Sequence, residues 1–284
     1  MIILDLNQVM IANLMMSIKG FGGEVNEDIV RHMVLNTIRM NKNKFQGEFG
    51  ELVIACDDRN YWRKEIFPYY KASRKVSRDK SSLDWNRIFQ VMNQVRDELK
   101  EFFPYPTIQV ESAEADDIIA TLVKRDGRLL GGDPILILSG DKDFIQLHKY
   151  SNVSQWDPTR KRWIRHNDPE SYLLEHIIRG DAGDGVPNVL TEDDCFVAGG
   201  RQRPIRSAFV QQIRDSGYEQ VLNEEGLRNY FRNRSLIDLE QIPEDTTNRI
   251  LEELENQSGK GRSKLFNYFI KNRLKNLTEH IQEF

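Results

Sequence analysis

The chain has 284 residues, 39% of them hydrophobic and 30% charged, with a formal net charge of −4 at pH 7. This is an ordinary globular composition, long enough for one large domain or two modest ones, and it excludes a general basic coat for nucleic acid. There is no apolar run of membrane-spanning length and no signal-peptide pattern in MIILDLNQVMIANL. The only two cysteines, Cys56 and Cys195, lack metal-type spacing and suit a reducing cytosol.

Along the chain, strand and helix signals alternate. Ile2 to Leu6 is a short apolar strand, and Asp28 to Asn41 carries Ile29, Met33, Val34 and Ile38 at helical spacing. Leu52 to Cys56 is a second buried strand. A stretch from Arg59 to Lys80 follows, with eight basic and two acidic residues, a local charge of +6, interleaved with Tyr61, Trp62, Phe67, Tyr69 and Tyr70. Leu83 to Phe103 holds a long 3.6-period stripe; the strand Thr107 to Val110, a helix from Ala115 to Lys124 and the strand Ile135 to Leu138 come next. Val153 to Trp156 and Arg162 to Arg165 flank Asp157-Pro158-Thr159 as a hairpin.

This alternation predicts an α/β fold with a mostly parallel central sheet flanked by helices. After residue 166 the strand signals fade. Asp168-Pro169 starts a helix that stops at Gly180, and further helices fit Ile205 to Ser216, Thr246 to Gln257 and Ser263 onward. The expected division is an α/β domain over 1–165, with the basic stretch (59–82) as a separate feature, and a smaller helical domain over 166–284.

Acids gather beside the strand tips. Asp5 lies in IILDL, Asp57 and Asp58 follow LVIAC, Glu114, Asp116 and Asp117 follow TIQV, and Asp141 and Asp143 follow ILIL. In a parallel sheet the C-terminal strand ends share one edge, where ligands bind. One such pair is most simply a cap or a solvated turn. Four coincident strand ends would repel one another unless a cation sat among them. With five scattered histidines and no zinc pattern, an all-carboxylate set suits magnesium or manganese. A further cluster, RGDAGDGVPNV, sets Asp181 and Asp184 among Gly180, Gly183 and Gly185, whose backbone could approach a phosphate. A solvated turn between helices is the plain alternative.

LDLNQ, the YWRKEIFPYYKASR stretch, EADD, SGDKDFIQL and GDAGDGVPNV, in that order, resemble the 5′-nuclease superfamily of flap endonucleases and polymerase-associated 5′→3′ exonucleases. The resemblance implies a two-metal site. Asp5, Asp57 and Asp116 would hold one Mg2+ or Mn2+, with Glu114 in the same shell. Asp141, Asp143 and Asp184 would hold the other, with Asp181 close by and Asp117 as an outer ligand. Asp58 reads as a neighbour of the site. The basic stretch would be the family's helical arch, with Arg63, Lys71 and Arg74 on the scissile phosphate and its neighbours and Tyr61, Trp62 and Tyr70 available to stack on unpaired bases. Packing against the core is the simpler reading of Trp62 and Phe67.

GDAGDGVPNV would be the turn of a helix-turn-helix element that grips duplex backbone, with Gly183 and Gly185 at the phosphates. The family turn often holds a potassium ion through carbonyls. Here the chain continues VPNVLTEDDCF instead of a lysine-threonine-alanine run, a departure from the usual build of the potassium site; Arg201, Arg203 and Arg206 are candidate substitute phosphate contacts, with solvated loop residues as the equal alternative. The implied enzyme is a monomeric, metal-dependent 5′→3′ exonuclease and flap endonuclease with ribonuclease H activity, acting on DNA and RNA–DNA hybrid during replication. It would work in the cytoplasm, that of the host if the source is viral, with a single-strand-binding protein or sliding clamp as candidate partners. A PIN-type ribonuclease would share the acids but be shorter and lack the arch; a non-catalytic junction binder would have lost ligands.

Overall fold

The four apolar runs become parallel strands in the computed structural model, which describes residues 1–20, 25–127 and 131–284. They are β1 (Ile2–Asp5), β2 (Leu52–Ala55), β3 (Thr107–Ile108) and β4 (Ile135–Leu138). β5 (Val153–Asp157) and β6 (Arg162–Ile164) form the expected hairpin, and the order across the sheet is β3-β2-β1-β4-β5-β6. All neighbours are parallel except β5 and β6. Asp5 stands level with Ala55 and Leu4 level with Leu138, so the C-terminal ends of β1, β2 and β4 are aligned.

Alternation along the strands divides the core in two. Ile2, Leu4, Leu52, Ile54, Leu136 and Leu138 face one layer, whereas Ile3, Val53, Ala55, Ile135 and Ile137 face the other. The first layer is covered by α1 (Leu6–Gly20), α2 (Glu27–Phe49) and α5 (Trp85–Phe102). Between β2 and α5 the basic stretch contains only two short helices, α3 (Arg63–Ile66) and α4 (Ala72–Asp79). The second layer is covered by α6 (Ala115–Asp126). A 3-10 helix over Asp143–Lys149 follows β4.

The helical part begins with α7 (Pro169–Arg179), capped by the Asp168 side chain and ended at Gly180 as the sequence predicts. Residues 188–206 then form turns rather than a second helix, so the helix-turn-helix expectation does not hold in its usual form. Asn188 explains the difference locally, since its side-chain oxygen accepts the Leu190 N–H at 3.0 Å and the Thr191 hydroxyl at 2.9 Å. Next come α8 (Ser207–Ser216), α9 (Tyr218–Val221), α10 (Glu224–Ile237), α11 (Glu244–Gln257), α12 (Leu265–Lys271) and α13 (Lys275–Thr278). The expected helix from Ser263 to the end is thus broken, with Arg273 at a φ of 54° between α12 and α13.

The division at 165/166 separates strands from helices but not cores. Ile250 and Leu254 of α11 enter the layer beneath α6, and Leu265, Tyr268 and Phe269 of α12 enter the opposite layer. A third cluster joins Phe67 and Tyr70 of the basic stretch to Ile177, Ile178, Val186, Leu236 and Ile237. Among the described residues no helix is long and apolar enough to cross a membrane.

Candidate active site

The aligned strand ends set the geometry. Asp5 ends β1, and its Oδ1 accepts the Gln8 N–H at 3.1 Å while its Oδ2 accepts the Ser139 hydroxyl at 2.9 Å. Asp57 lies two residues beyond β2; its oxygens accept the Asn7 amide at 2.6 Å and the Ala115 N–H at 2.7 Å. Asp116 is in the first turn of α6, and its carboxylate receives no hydrogen bond or ion pair from the described residues. Asp141 accepts the Asp143 N–H at 3.1 Å. Gly140, between Ser139 and Asp141, runs so close to Asp157 that a Cβ there would stand 2.9 Å from its carboxyl carbon.

These carboxylates feel one another. Burial pushes the Asp5 pKa up to about 7, helped by the charge of Asp57. Burial also raises Asp57, against the pull of Lys71. It raises Asp116 well above the carboxylate range, with Asp141, Glu114 and Asp5 adding to the effect. Asp143 is pushed up to about 8 by burial and by Asp141. Proteins rarely bury like charges without a counter-charge. An acidic cluster of this kind could hold a hard divalent cation. A cavity of about 10 Å³, lined in part by Asp116, Asp143, Asp181 and Asp184, adds space of water size beside them.

Asp181 and Asp184 come from the turn after α7. Asp181 Oδ1 accepts the N–H groups of Gly183 at 2.7 Å and Asp184 at 3.2 Å, which fixes the turn. His176, in the last turn of α7, lies between two of the acids: its Nδ1 is 3.3 Å from Asp143 Oδ1 and its Nε2 is 3.6 Å from Asp181 Oδ2. Asp143, His176 and Asp181 can each offer an atom to one ion. The sequence reading placed no histidine among the acids; the fold brings His176 beside them. The signal was a histidine one turn ahead of an acidic turn, and it is invisible until α7 packs beside the Asp143 helix.

The arch residues divide into those near the acids and those locked in structure. Arg63 does not face a phosphate. It is 3% exposed, with Nη1 2.8 Å from Glu114 Oε2, Nη2 2.8 Å from Asp117 Oδ1 and Nε donating to the Leu236 carbonyl at 2.8 Å. Asp117 is likewise held in structure: its Oδ2 accepts the Trp62 indole N–H at 3.0 Å and the Glu114 N–H at 2.9 Å. Tyr70 cannot stack on a base, because it is buried and its hydroxyl bridges Glu114 at 3.0 Å and Asp184 at 2.9 Å. Trp62 and Phe67 are buried, as their packing reading expects. Asp58 Oδ2 accepts the Ser112 N–H at 3.0 Å and stays outside the cluster.

Lys71 ion-pairs with Glu114 and lies 3.4 Å from Asp184, while Arg74, half exposed, ion-pairs with Asp184. Burial would lower the Lys71 pKa, but Asp184 and Glu114 outweigh it and keep the ammonium charged. Lys71 takes a left-handed φ of 57° and donates its N–H to the Asp184 carbonyl at 2.7 Å. Gly185 makes that approach possible: at φ +74° a Cβ would sit 3.2 Å from the Tyr69 carbonyl oxygen. The two glycines therefore serve the turn rather than a phosphate. The Gly183 and Gly185 N–H groups are spent on Asp181 and on the Ala182 carbonyl. Of the alternative phosphate contacts, Arg203 is exposed and pairs with Glu192 at 2.6 Å.

A sheet edge lined with acids and topped by a basic segment is the build of a metal-dependent 5′-nuclease. Sequence comparison agrees. Residues 23–175 match the family model described as "5'-3' exonuclease, N-terminal resolvase-like domain", and residues 167–284 match that of the T4 RNase H C-terminal domain. The chain belongs to this 5′→3′ exonuclease family, and it is an enzyme of the exonuclease and flap endonuclease class. It is 35% identical to the ribonuclease H of Enterobacteria phage T4, over 92% of this chain and 88% of that one. It is 28% identical to the flap endonuclease Xni of Shewanella sp. (strain ANA-3), over 48% of this chain and 51% of that one. In structure it resembles the bacteriophage T5 D15 flap endonuclease complexed with DNA and metal ions, with TM-score 0.62, 17% identity and coverage of 90% and 98%.

Proposed function

We propose that the chain hydrolyses phosphodiester bonds from the 5′ ends of RNA–DNA hybrid, duplex and flap DNA, and so removes RNA primers during replication, using two Mg2+ ions that Mn2+ can replace. Asp5, Asp57 and Asp116, with Glu114, would hold one ion; Asp141, Asp143 and Asp184 would hold the other. Bound there, the ions would neutralise charge at the phosphodiester and acidify water. The observation that carries this reading is Asp116, a carboxylate with no donor among the described residues, beside Asp5, Asp57 and Asp143, all raised by burial.

The chain's own residues do the rest. Ser139, Asn7, Gln8 and the Ala115 N–H fix the carboxylates in advance. Lys71 and Arg74 are the mobile cations. In the absence of substrate they pair with Glu114 and Asp184. With the ions held by those carboxylates, Lys71 and Arg74 would be the side chains placed to neutralise a substrate phosphate. Tyr61, half-buried beside Lys71, is the aromatic left to meet a base.

The test uses a 5′-labelled RNA primer annealed to DNA and a matched 5′-flap DNA, each incubated with Mg2+ or EDTA. Short labelled products in Mg2+ alone, lost in Asp141→Asn with substrate binding retained, are the expected result. Substrates that are bound but not cut by the native chain in either Mg2+ or Mn2+ would instead favour a binding protein.

A further inference from the structure

His176 belongs to none of the roles above. It is 16% exposed, and each ring nitrogen looks at a different carboxylate. Those two carboxylates are not equivalent. Asp181 Oδ1 is committed to two backbone N–H groups of its own turn, so only Oδ2 is left to face Nε2. The Asp143 carboxylate accepts no hydrogen bond from the turn, and its Oδ1 is 3.3 Å from Nδ1. Neighbouring donors on one octahedral ion with bonds of about 2.1 Å stand roughly 3 Å apart. Histidines that bind metals through one nitrogen typically donate the other N–H to a carboxylate, which fixes tautomer and ring orientation.

We propose that His176 is a nitrogen ligand of the second ion through Nδ1, with Asp181 as the carboxylate that orients its ring. The inference rests on the metal-dependent reading of the site and adds a selectivity to it. Imidazole favours first-row transition metals more than it favours Mg2+. The second position is therefore tuned toward Mn2+, and Asp181 acts through His176 rather than on the ion.

The experiment is pulsed electron paramagnetic resonance of Mn2+ added to the full chain, with Mn2+ binding isotherms and melting curves for the native protein, His176→Gln, His176→Lys, Asp181→Asn and Asp141→Asn. A nitrogen coupling in the native protein is expected. It should vanish in His176→Gln and His176→Lys while both melt normally without metal. Mn2+ affinity should fall about tenfold in those variants and in Asp181→Asn, with a smaller loss for Mg2+ measured by competition. Mn2+ bound in an Asp141-dependent way but without nitrogen coupling would overturn the assignment and leave the metal site standing. A His176→Lys variant with native Mn2+ affinity would also overturn it, reducing His176 to a cation between two acids. If no Mn2+ binds at all, both the inference and the metal-dependent reading fall.

Discussion

The Ser139 hydroxyl donates to Asp5 Oδ2 at 2.9 Å and also accepts the Asp141 N–H at 3.1 Å, so a single buried oxygen ties the end of β1 to the loop after β4. From the far side, the Gln155 amide holds the Ser139 carbonyl at 2.9 Å and reaches the Asp141 carbonyl as well. One hydroxyl therefore ties the Asp5 carboxylate to the backbone of Asp141 before any ion arrives. Ser139→Ala should cost about 1.5–3 kcal/mol of stability, the range for a hydrogen bond to a charged group. It should also raise the Mg2+ concentration for half-maximal cleavage by about tenfold. Titrating cleavage against Mg2+ checks this; an unchanged midpoint would make the hydroxyl merely structural.

Without metal, stability should fall as pH rises. Asp5 and Asp143 have folded pKa values raised to about 7 and about 8, so they hold protons that the unfolded chain has already lost. The stability they contribute is complete below the ordinary carboxylate pKa of about 4 and is lost as pH climbs through about 7 to 8. Ions that bind only the ionised, folded site reverse this. Melting temperature in EDTA should drop between pH 5 and pH 8.5, and the rise caused by Mg2+ should be larger at the higher pH. An equal Mg2+ effect at both would contradict the shared site.

Arg63 and Arg74 lie in one basic stretch but should fail differently. Arg63→Ala strands two buried carboxylates, Glu114 and Asp117, at a cost of about 3–5 kcal/mol. Arg74 is half exposed, so Arg74→Ala should leave denaturant midpoints within about 0.5 kcal/mol of native while slowing cleavage. Chemical denaturation of both variants separates the roles.

Gly185→Ala tests the dock between arch and turn. A left-handed φ costs a side chain about 1–2 kcal/mol, and the added Cβ would press on the Tyr69 carbonyl. Cleavage should fall more than stability does, because Asp184 and Lys71 are joined through that contact. Gly259→Ala, with a φ of 75° and open space around it, is the control for a positive φ without a clash.

The sheet was legible because its strands are continuous apolar runs, and the acids because they follow those runs. Helix α1 was harder to read. Its buried positions, from Leu6 to Ile18, repeat at helical spacing, but Asn13 and Ser17 stand among them and the apolar Met16 points outward. Asn13 is tolerated inside because its amide donates to the Val9 carbonyl at 2.8 Å. The burial of Arg63 was illegible for a related reason. A basic run reads as a solvated face, and only the fold brings Glu114, Asp117 and the Leu236 carbonyl around one guanidinium. Pairings between elements more than 100 residues apart, such as Arg74 with Asp184 in the turn after α7, leave no local trace in composition or period.

Leu265, Tyr268, Phe269 and Phe284 share one core with Ile2 and Leu4, more than 250 residues away in the chain. A ribosome therefore releases every acid of the candidate site before the last residues that cover one face of the sheet emerge. Contacts of such separation form late. The sheet that carries the acids is therefore complete only once α12 and the C-terminal residues close on it.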